Sequence, residues 1–314
     1  MKIKNVSKTK ALNNKKLGGK TIGFELILML IPGLILLGIF NYAPMYGILI
    51  AFKDFKILDG VMGSAWVGLD NFKDIIMNEE FVRVFKNTLV ISALNLLFGF
   101  PTPIILAILL NEIRCKAYKK SVQTLTYLPH FFSWVVLAGI FKLLFSTTGP
   151  VNAILAVFGV EEPLSFFGDK TLFLIMLIVT SVWQGAGWGA VIYLSAISGI
   201  DVSLYEAGEI DGTNRFQAIR YITLPAIIPT ITTVLIMKLG TILNVGYDQI
   251  YNMYNPMVYE VADVIDTYVL RRLQSLDYVT GTTVGLFKSV ICLILVMTTN
   301  AITRKLSQGE QGIM

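Results

Sequence analysis

The sequence predicts an all-α integral membrane protein with six transmembrane helices and both termini in the cytoplasm. Three observations carry that prediction: an apolar composition, six long apolar windows, and lysines gathered on alternate connecting segments. Of the 314 residues, 54% are hydrophobic and 15% charged, whereas soluble domains carry roughly 25% charged residues. The mean hydropathy is +0.67.

A helix needs about 20 mainly apolar residues to cross a hydrocarbon layer about 30 Å thick. Windows of that kind run approximately over residues 25–49, 87–110, 125–145, 171–197, 226–245 and 281–302. Each is too long for an isolated strand, and none alternates with the period of two that marks a membrane barrel. The first follows a basic tail, as a secretion signal would. It is longer than a signal core and has no clear small-residue cleavage site, so it reads as a retained helix.

Lysine and arginine favour cytoplasmic loops. The tail to Lys20 holds Lys2, Lys4, Lys8, Lys10, Lys15, Lys16 and Lys20 with no acid, and residues 111–124 hold Arg114, Lys116, Lys119 and Lys120 against Glu112 alone. The alternate segments are richer in acids, among them Glu79, Glu80, Glu161, Glu162, Asp263 and Asp266. The predicted organisation is a basic cytoplasmic tail (1–22), a six-helix transmembrane domain (23–303) and a short cytoplasmic tail (304–314). A tail of this kind serves topology and contact with anionic lipid, and nucleic-acid binding does not fit beside six membrane spans. Cys115 falls in a loop and Cys292 inside a helix, with no metal-ligand spacing.

One connection stands apart. Residues 201–225 read DVSLYEAGEIDGTNRFQAIRYITLP, far longer than two neighbouring helices need. Ser203 followed by Glu206 has the spacing of a capping box, and Gly212 suits a helix stop. Thr213 or Asp211 can cap a second helix, which presents Phe216 and Ile219 at helical spacing. Pro225 suits the first turn of the next membrane helix. The expected shape is a helical elbow joined to two membrane helices. Its small residues, Ala207 and Gly208, would let another protein approach, and its apolar residues would supply an anchor.

The pattern Glu206, Ala207, Gly208, Gly212, Ile222, Leu224 and Pro225 resembles the EAA loop of binding-protein-dependent ABC importer permeases of the MetI-like fold. Gly208 stands where that family often has alanine. The stretches PMYGILIAFKDF (44–55), WVGLDNF (66–72) and TYLPH (126–130) resemble the branch that imports complex oligosaccharides. The resemblance implies that Glu206, Ala207, Gly208, Asp211, Gly212 and Phe216 couple the chain to an ATPase. It implies further that a second, usually different, permease subunit completes the pore, and that an extracellular solute-binding protein delivers the sugar. Two partner ATPase subunits would bind ATP and Mg²⁺, leaving this chain with no cofactor and no enzymatic activity of its own.

The helices that flank the elbow contribute to the translocation site in related sugar permeases. The fourth carries Trp183, Gln184 and Trp188 with Gly185, Gly187 and Gly189, which permit close helix contact or local unwinding. The fifth carries Lys238, Thr241, Asn244 and Tyr247 at spacings of three, on one helical face. Trp183, Gln184, Trp188, Lys238, Thr241 and Asn244 are therefore the candidate lining of the sugar path. The alternative for each is helix packing. Lys238 could pair with an acid of a partner subunit, snorkel, or meet an anionic sugar; Lys142 and Lys288 raise the same question. His130 beside Pro129 reads as structural, with a proton relay as the alternative. The segment 248–280 mixes tyrosines and arginines with acids, a surface suited to protein docking.

Other classes fit poorly. Leu17 to Thr21 echo a phosphate-binding loop, but Asn14 stands where its first glycine belongs and no strand precedes it. A secondary transporter would pair acids within its helices and show internal repeats. A membrane enzyme would cluster His, Cys or carboxylates.

Overall fold

A computed structural model describes residues 21–306, with side chains over 27–301. The lysine-rich tail, the phosphate-loop echo up to Lys20 and the chain end beyond 306 lie outside the described residues. The chain divides into two compact units, Met1–Leu49 and Ile50–Met314. In the first, α1 (Thr21–Leu37) carries Pro32 inside it and continues through a wide π turn over Gly38–Tyr42. Pro44 follows directly, and a proline supplies no N–H to the helical ladder behind it. The stretch Ile27–Phe52 is long and apolar enough to cross a membrane.

The second unit opens on a two-stranded hairpin, β1 (Lys53–Asp54) against β2 (Ala65–Trp66), with Lys53 opposite Trp66, and α2 (Gly60–Gly63) fills its connection. Gly68 takes the left-handed conformation (φ 63°) after β2. Asn71 then donates to the carbonyls of Ala51 and Lys53 at 3.0 and 3.1 Å, and Trp66 stacks on Phe52 at 5.6 Å. The Trp-Val-Gly-Leu-Asp-Asn-Phe stretch is thus a structural clasp. It leads into α3 (Asp70–Met77).

The next membrane-length run is α4 (Glu79–Gly99) followed without a loop by α5 (Pro101–Glu112), together one span of 34 residues. Asn78 caps α4 by accepting from Phe81 N. The third predicted window, 125–145, is not one helix. Here α6 (Lys116–Tyr127), a 3-10 turn (Leu128–Phe131) and α7 (Trp134–Leu144) make a pair bent by 103°. Pro129 breaks the hydrogen-bond ladder, and Ser133 restarts it by accepting from Val136 N, the cap that serine favours. Among the described residues there are therefore five helices long and apolar enough to span, or six if the bent pair counts as one.

After α8 (Pro150–Val157) comes α9 (Lys170–Ser198), 29 residues and so about 44 Å long at 1.5 Å per residue. It is the axis of the unit and packs on α5, α4 and α6. Its glycines work by close approach: a Cβ on Gly187 would collide with the Thr126 carbonyl at the end of α6, and one on Gly189 would reach the Pro103 ring at 2.9 Å. The helix stays unbroken there, so the local unwinding expected as one option does not occur.

The elbow follows as α10 (Val202–Ile210) and α11 (Arg215–Ala218). A π turn over Ile219–Thr223 joins α11 without a gap to α12 (Leu224–Gly240). The fifth span accordingly runs over Arg215–Gly240 and ends five residues before the predicted 245. Gly240, and Gly246 at φ 52°, stop it. An irregular stretch then leads through α13 (Tyr247–Met253), α14 (Tyr259–Ala262) and α15 (Ile265–Gln274) to α16 (Tyr278–Leu306).

Side chains from the long helices hold this irregular excursion. Ser92 donates to Ile242 O at 2.6 Å, Asn87 to Glu260 O and Asp263 O at 3.0 and 3.1 Å, and Thr88 accepts from Ile265 N at 3.0 Å. In return Gln249 donates to Leu177 O and Thr180 Oγ1 at 2.7 and 2.8 Å. A buried apolar cluster that includes Ile91, Phe141, Phe173, Met176 and Met253 seals the same region.

An ion network closes it. Arg271 pairs with Glu80 on α4 at 2.8 Å and with Asp263, while Arg272 pairs with Glu80. The Arg271 guanidinium also lies over the Tyr259 and Tyr268 rings. Asp263 is 1% exposed; burial raises its carboxyl above the usual range, against the Thr267 hydroxyl and Arg271 that hold it down. Removing one partner of a buried pair strands the other. Arg271→Ala is expected to destabilise the fold by about 3 kcal/mol, and Arg271→Lys to restore only part of that, because lysine lacks the fork that reaches two acids. Thermal inactivation of the purified protein in detergent reads both.

Candidate functional site

The elbow is built by its own backbone. Asp201 caps α10 by accepting from Ser203 N at 2.9 Å, and that hydrogen bond lowers the Asp201 carboxyl below its usual range. The predicted Ser203–Glu206 capping box does not form, because the cap lies two residues earlier. At the other end Thr213 N reaches Gly208 O at 2.8 Å and Gly212 N reaches Glu209 O at 3.1 Å, with Gly212 at φ 78°. This is the paired closure of a left-handed helix stop. The cap of α11 is Asn214, not Thr213 or Asp211: Asn214 and Gln217 exchange hydrogen bonds at 2.9 and 2.8 Å in a full capping box.

Gly208 has a different role from the one its size suggests. It faces the inside of the elbow, where a Cβ would stand 3.1 Å from Ile222 Cδ1 and 3.5 Å from Thr213 Oγ1. Tyr205 and Thr223 hydrogen-bond at 2.8 Å, and Thr223 is buried. These contacts clamp α10 onto the start of the α12 span. The outer surface is open: Glu206, Ala207, Asp211 and Gly212 are exposed, as are the apolar side chains of Ile210 (86%) and Phe216 (70%). Phe216 is therefore not buried within the chain.

A cavity of about 380 Å³ lies between α4, α5, α9 and α12, within the range of about 300–1,000 Å³ of small-molecule sites. Gln184, Lys238, Thr241 and Asn244 line it, together with Ser92 and Asn95. The last two escaped the sequence reading, although polar residues inside the second apolar window were a visible signal. Lys238, Thr241 and Asn244 do not share one helical face, since α12 ends at Gly240. They meet because the chain turns there, with Thr241 N reaching Lys238 O at 3.2 Å and Asn244 N reaching Thr241 O at 2.9 Å.

Trp183 and Trp188 do not line this cavity. Trp183 meets Phe141 edge-on at 5.8 Å, and Trp188 lies flat on His130 at 4.9 Å. That stack sits beside the kink between α6 and α7, and His130 Nδ1 is buried without a hydrogen-bond partner among the described residues. Lys288 pairs with Asp266 at 2.5 Å, whereas Lys142 is exposed. Among the described residues no group of His, Cys, Asp and Glu is placed to hold a metal ion, and Cys115 and Cys292 are both free thiols.

Comparison with known proteins gives this arrangement its setting. Residues 88–308 match the family model described as binding-protein-dependent transport system inner membrane component. The chain is 44% identical to protein LplB of Bacillus subtilis (strain 168), over 90% of this chain and 89% of that protein. It is 43% identical to the polygalacturonan/rhamnogalacturonan transport system permease protein YteP of the same organism, over 92% and 89%. Among solved structures it is similar to a chain of a bacterial ABC transporter involved in the import of the acidic polysaccharide alginate, at 41% identity and TM-score 0.84, over 90% of this chain and 96% of that one. It also matches a bacterial alginate ABC transporter in complex with its alginate pentasaccharide-bound periplasmic protein, at 40% identity and TM-score 0.85, over 93% and 97%. A multi-pass helical chain with this elbow, this cavity and a family match over most of its length belongs to the binding-protein-dependent inner membrane components, the permease subunits of ABC importers.

Proposed function

We propose that this chain forms half of the translocation pore of an oligosaccharide importer in the bacterial cytoplasmic membrane, and that α10 is the element through which separate ATPase subunits move it. The observation that carries this reading is the build of the elbow. Its inner face is locked to α12 by Gly208 against Ile222 and by Tyr205 with Thr223, while its outer face leaves Ile210 and Phe216 bare. An exposed apolar surface on a rigid element marks a docking site. Glu206, Ala207, Asp211, Gly212 and Phe216 then belong to the docked surface, and Gly208 to its rigidity.

Two permease subunits, most simply two different ones, would enclose the path, with two ATPase subunits below them. ATP and Mg²⁺ bind to those partners and not to this chain. An extracellular solute-binding protein delivers the oligosaccharide, as the alginate relative's periplasmic protein complex suggests. The excursion from Tyr247 to Asp277 suits its reception: Tyr247, Tyr251, Tyr254 and Tyr259 form a run of ring contacts at 5.5, 6.3 and 4.8 Å. This surface packs at the start of α9, where Asn255 donates to Phe167 O at 2.8 Å, and the elbow follows its end. The two lie about 44 Å apart along one helix, which suits opposite faces of a membrane. ATP binding would close the ATPase pair, draw the elbows together and turn the pore outward; hydrolysis would reset it. Each nucleotide state works only through its different affinity for the two pore conformations.

The assembled importer in proteoliposomes tests this. Ala207→Trp should leave the permease itself folded in the membrane and reduce ATPase stimulation by loaded binding protein about tenfold or more, as steric loss at an interface centre does. Stimulation at the wild-type level would reject α10 as the docking helix. Gly208→Glu should act differently, opening the elbow itself, so that protease cleavage within residues 201–223 increases even in the isolated permease. Equal protease resistance would show that Gly208 is not a packing position.

A further inference from the structure

Resting on the proposed function, a further reading concerns which oligosaccharides the cavity accepts. The cavity between α4, α5, α9 and α12 adjoins a second one, of about 500 Å³, and the two share Asn244 and Gly246 in their walls. Together their walls carry three charged side chains: Lys238 in the first, and Lys288 and Asp266 in the second. Lys288 and Asp266 neutralise one another at 2.5 Å. Lys238 has no ion pair or hydrogen bond from its ammonium to any described residue, and no carboxylate lines its cavity. The two sets of walls together therefore carry a net charge of one, positive, contributed by Lys238 near the end of α12.

The rest of the first cavity has the chemistry of hydroxyl recognition. The side-chain amides of Asn95, Gln184 and Asn244 face it with no hydrogen bond to other described residues, so both their donors and their acceptors are available. Ser92, by contrast, is already engaged with Ile242 O. Neutral sugar hydroxyls need only such amides. A free ammonium among membrane helices is costly, and that cost is offset when a ligand supplies the missing negative charge, since charge-assisted hydrogen bonds are the strong ones.

We propose that Lys238 is the charge-selecting residue of this pore and that the oligosaccharide it passes carries carboxylate groups. The ammonium receives the carboxylates one at a time, and the three amides hold the ring hydroxyls. Asp266 keeps Lys288 from competing at the adjoining cavity.

The test uses the complete importer, with its partner permease, ATPase and binding protein, in proteoliposomes. One probe is a trisaccharide of uronic acid units. The other is the same trisaccharide with every carboxyl reduced to the alcohol. The binding protein is identical in all arms, so a change in preference on mutation belongs to the permease. Lys238→Gln is expected to lower kcat/KM for the carboxylated probe about tenfold, the scale of one lost hydrogen bond to a charged group, and to change the neutral probe less than about twofold. Lys238→Arg should retain the wild-type preference. Equal losses for both probes, as a structural lysine or one paired with a partner subunit would give, overturn the charge assignment and leave the importer reading in place. A wild-type importer that carries the neutral probe and not the uronate probe overturns it as well. Absence of ATP-dependent uptake of any oligosaccharide by the wild type overturns the importer reading itself.

Discussion

Where this chain leaves helix at membrane depth, its backbone donors and acceptors must be satisfied by protein, because hydrocarbon satisfies none. The chain leaves helix at Thr241, where α12 ends, and polar residues of the long helices hold this turn and the short helices that follow it. Ser92, Asn87 and Thr88 reach it from α4, while Leu177 and Thr180 of α9 meet Gln249 coming the other way. The excursion is thereby rigid, the cavity it borders has a fixed wall, and Lys238 is held where α12 stops. A helix continued past Gly240 would carry Thr241 and Asn244 away from the positions at which they line the cavity.

The same economy of shape governs the opposite end of α9. Gly212 turns the chain, Asn214 starts it again, and the π turn over Ile219–Thr223 lets α11 run directly into α12. No flexible linker separates the exposed face at Ile210 and Phe216 from the span that carries Lys238. A push on the elbow is therefore a push on a cavity wall. Under the proposed docking of α10, that connection would pass a partner's movement into the span that carries Lys238.

The family and most of the spans are legible because they rest on local signals: long apolar windows, and a motif whose glycine and proline have fixed backbone meanings. The α6–α7 kink was not read, since Pro129 and Ser133 sit inside a window whose mean hydropathy conceals them. The spacing of Lys238, Thr241 and Asn244 fits a helix that continues to 245, whereas Gly240, Gly246 and the tertiary hold of Ser92 on Ile242 turn the chain there. Gly208 was assigned outward because its motif role is docking, whereas its contact with Ile222 depends on how two short helices fold over one another. Trp183 and Trp188 had the right chemistry for a sugar face but point to Phe141 and His130, which no spacing rule reveals. Asn95 is the reverse case: an amide inside an apolar window is a visible signal of a cavity at membrane depth.

The central claim is that α10 carries force from a partner ATPase into this chain. The most direct measurement places a photo-crosslinking amino acid at Ile210 in the assembled, membrane-embedded importer and identifies the adduct by mass spectrometry. The account predicts a covalent product with the nucleotide-hydrolysing subunit, its yield changing between nucleotide-free and ATP-bound states. An adduct with the extracellular binding protein, or with lipid alone in both states, would contradict it.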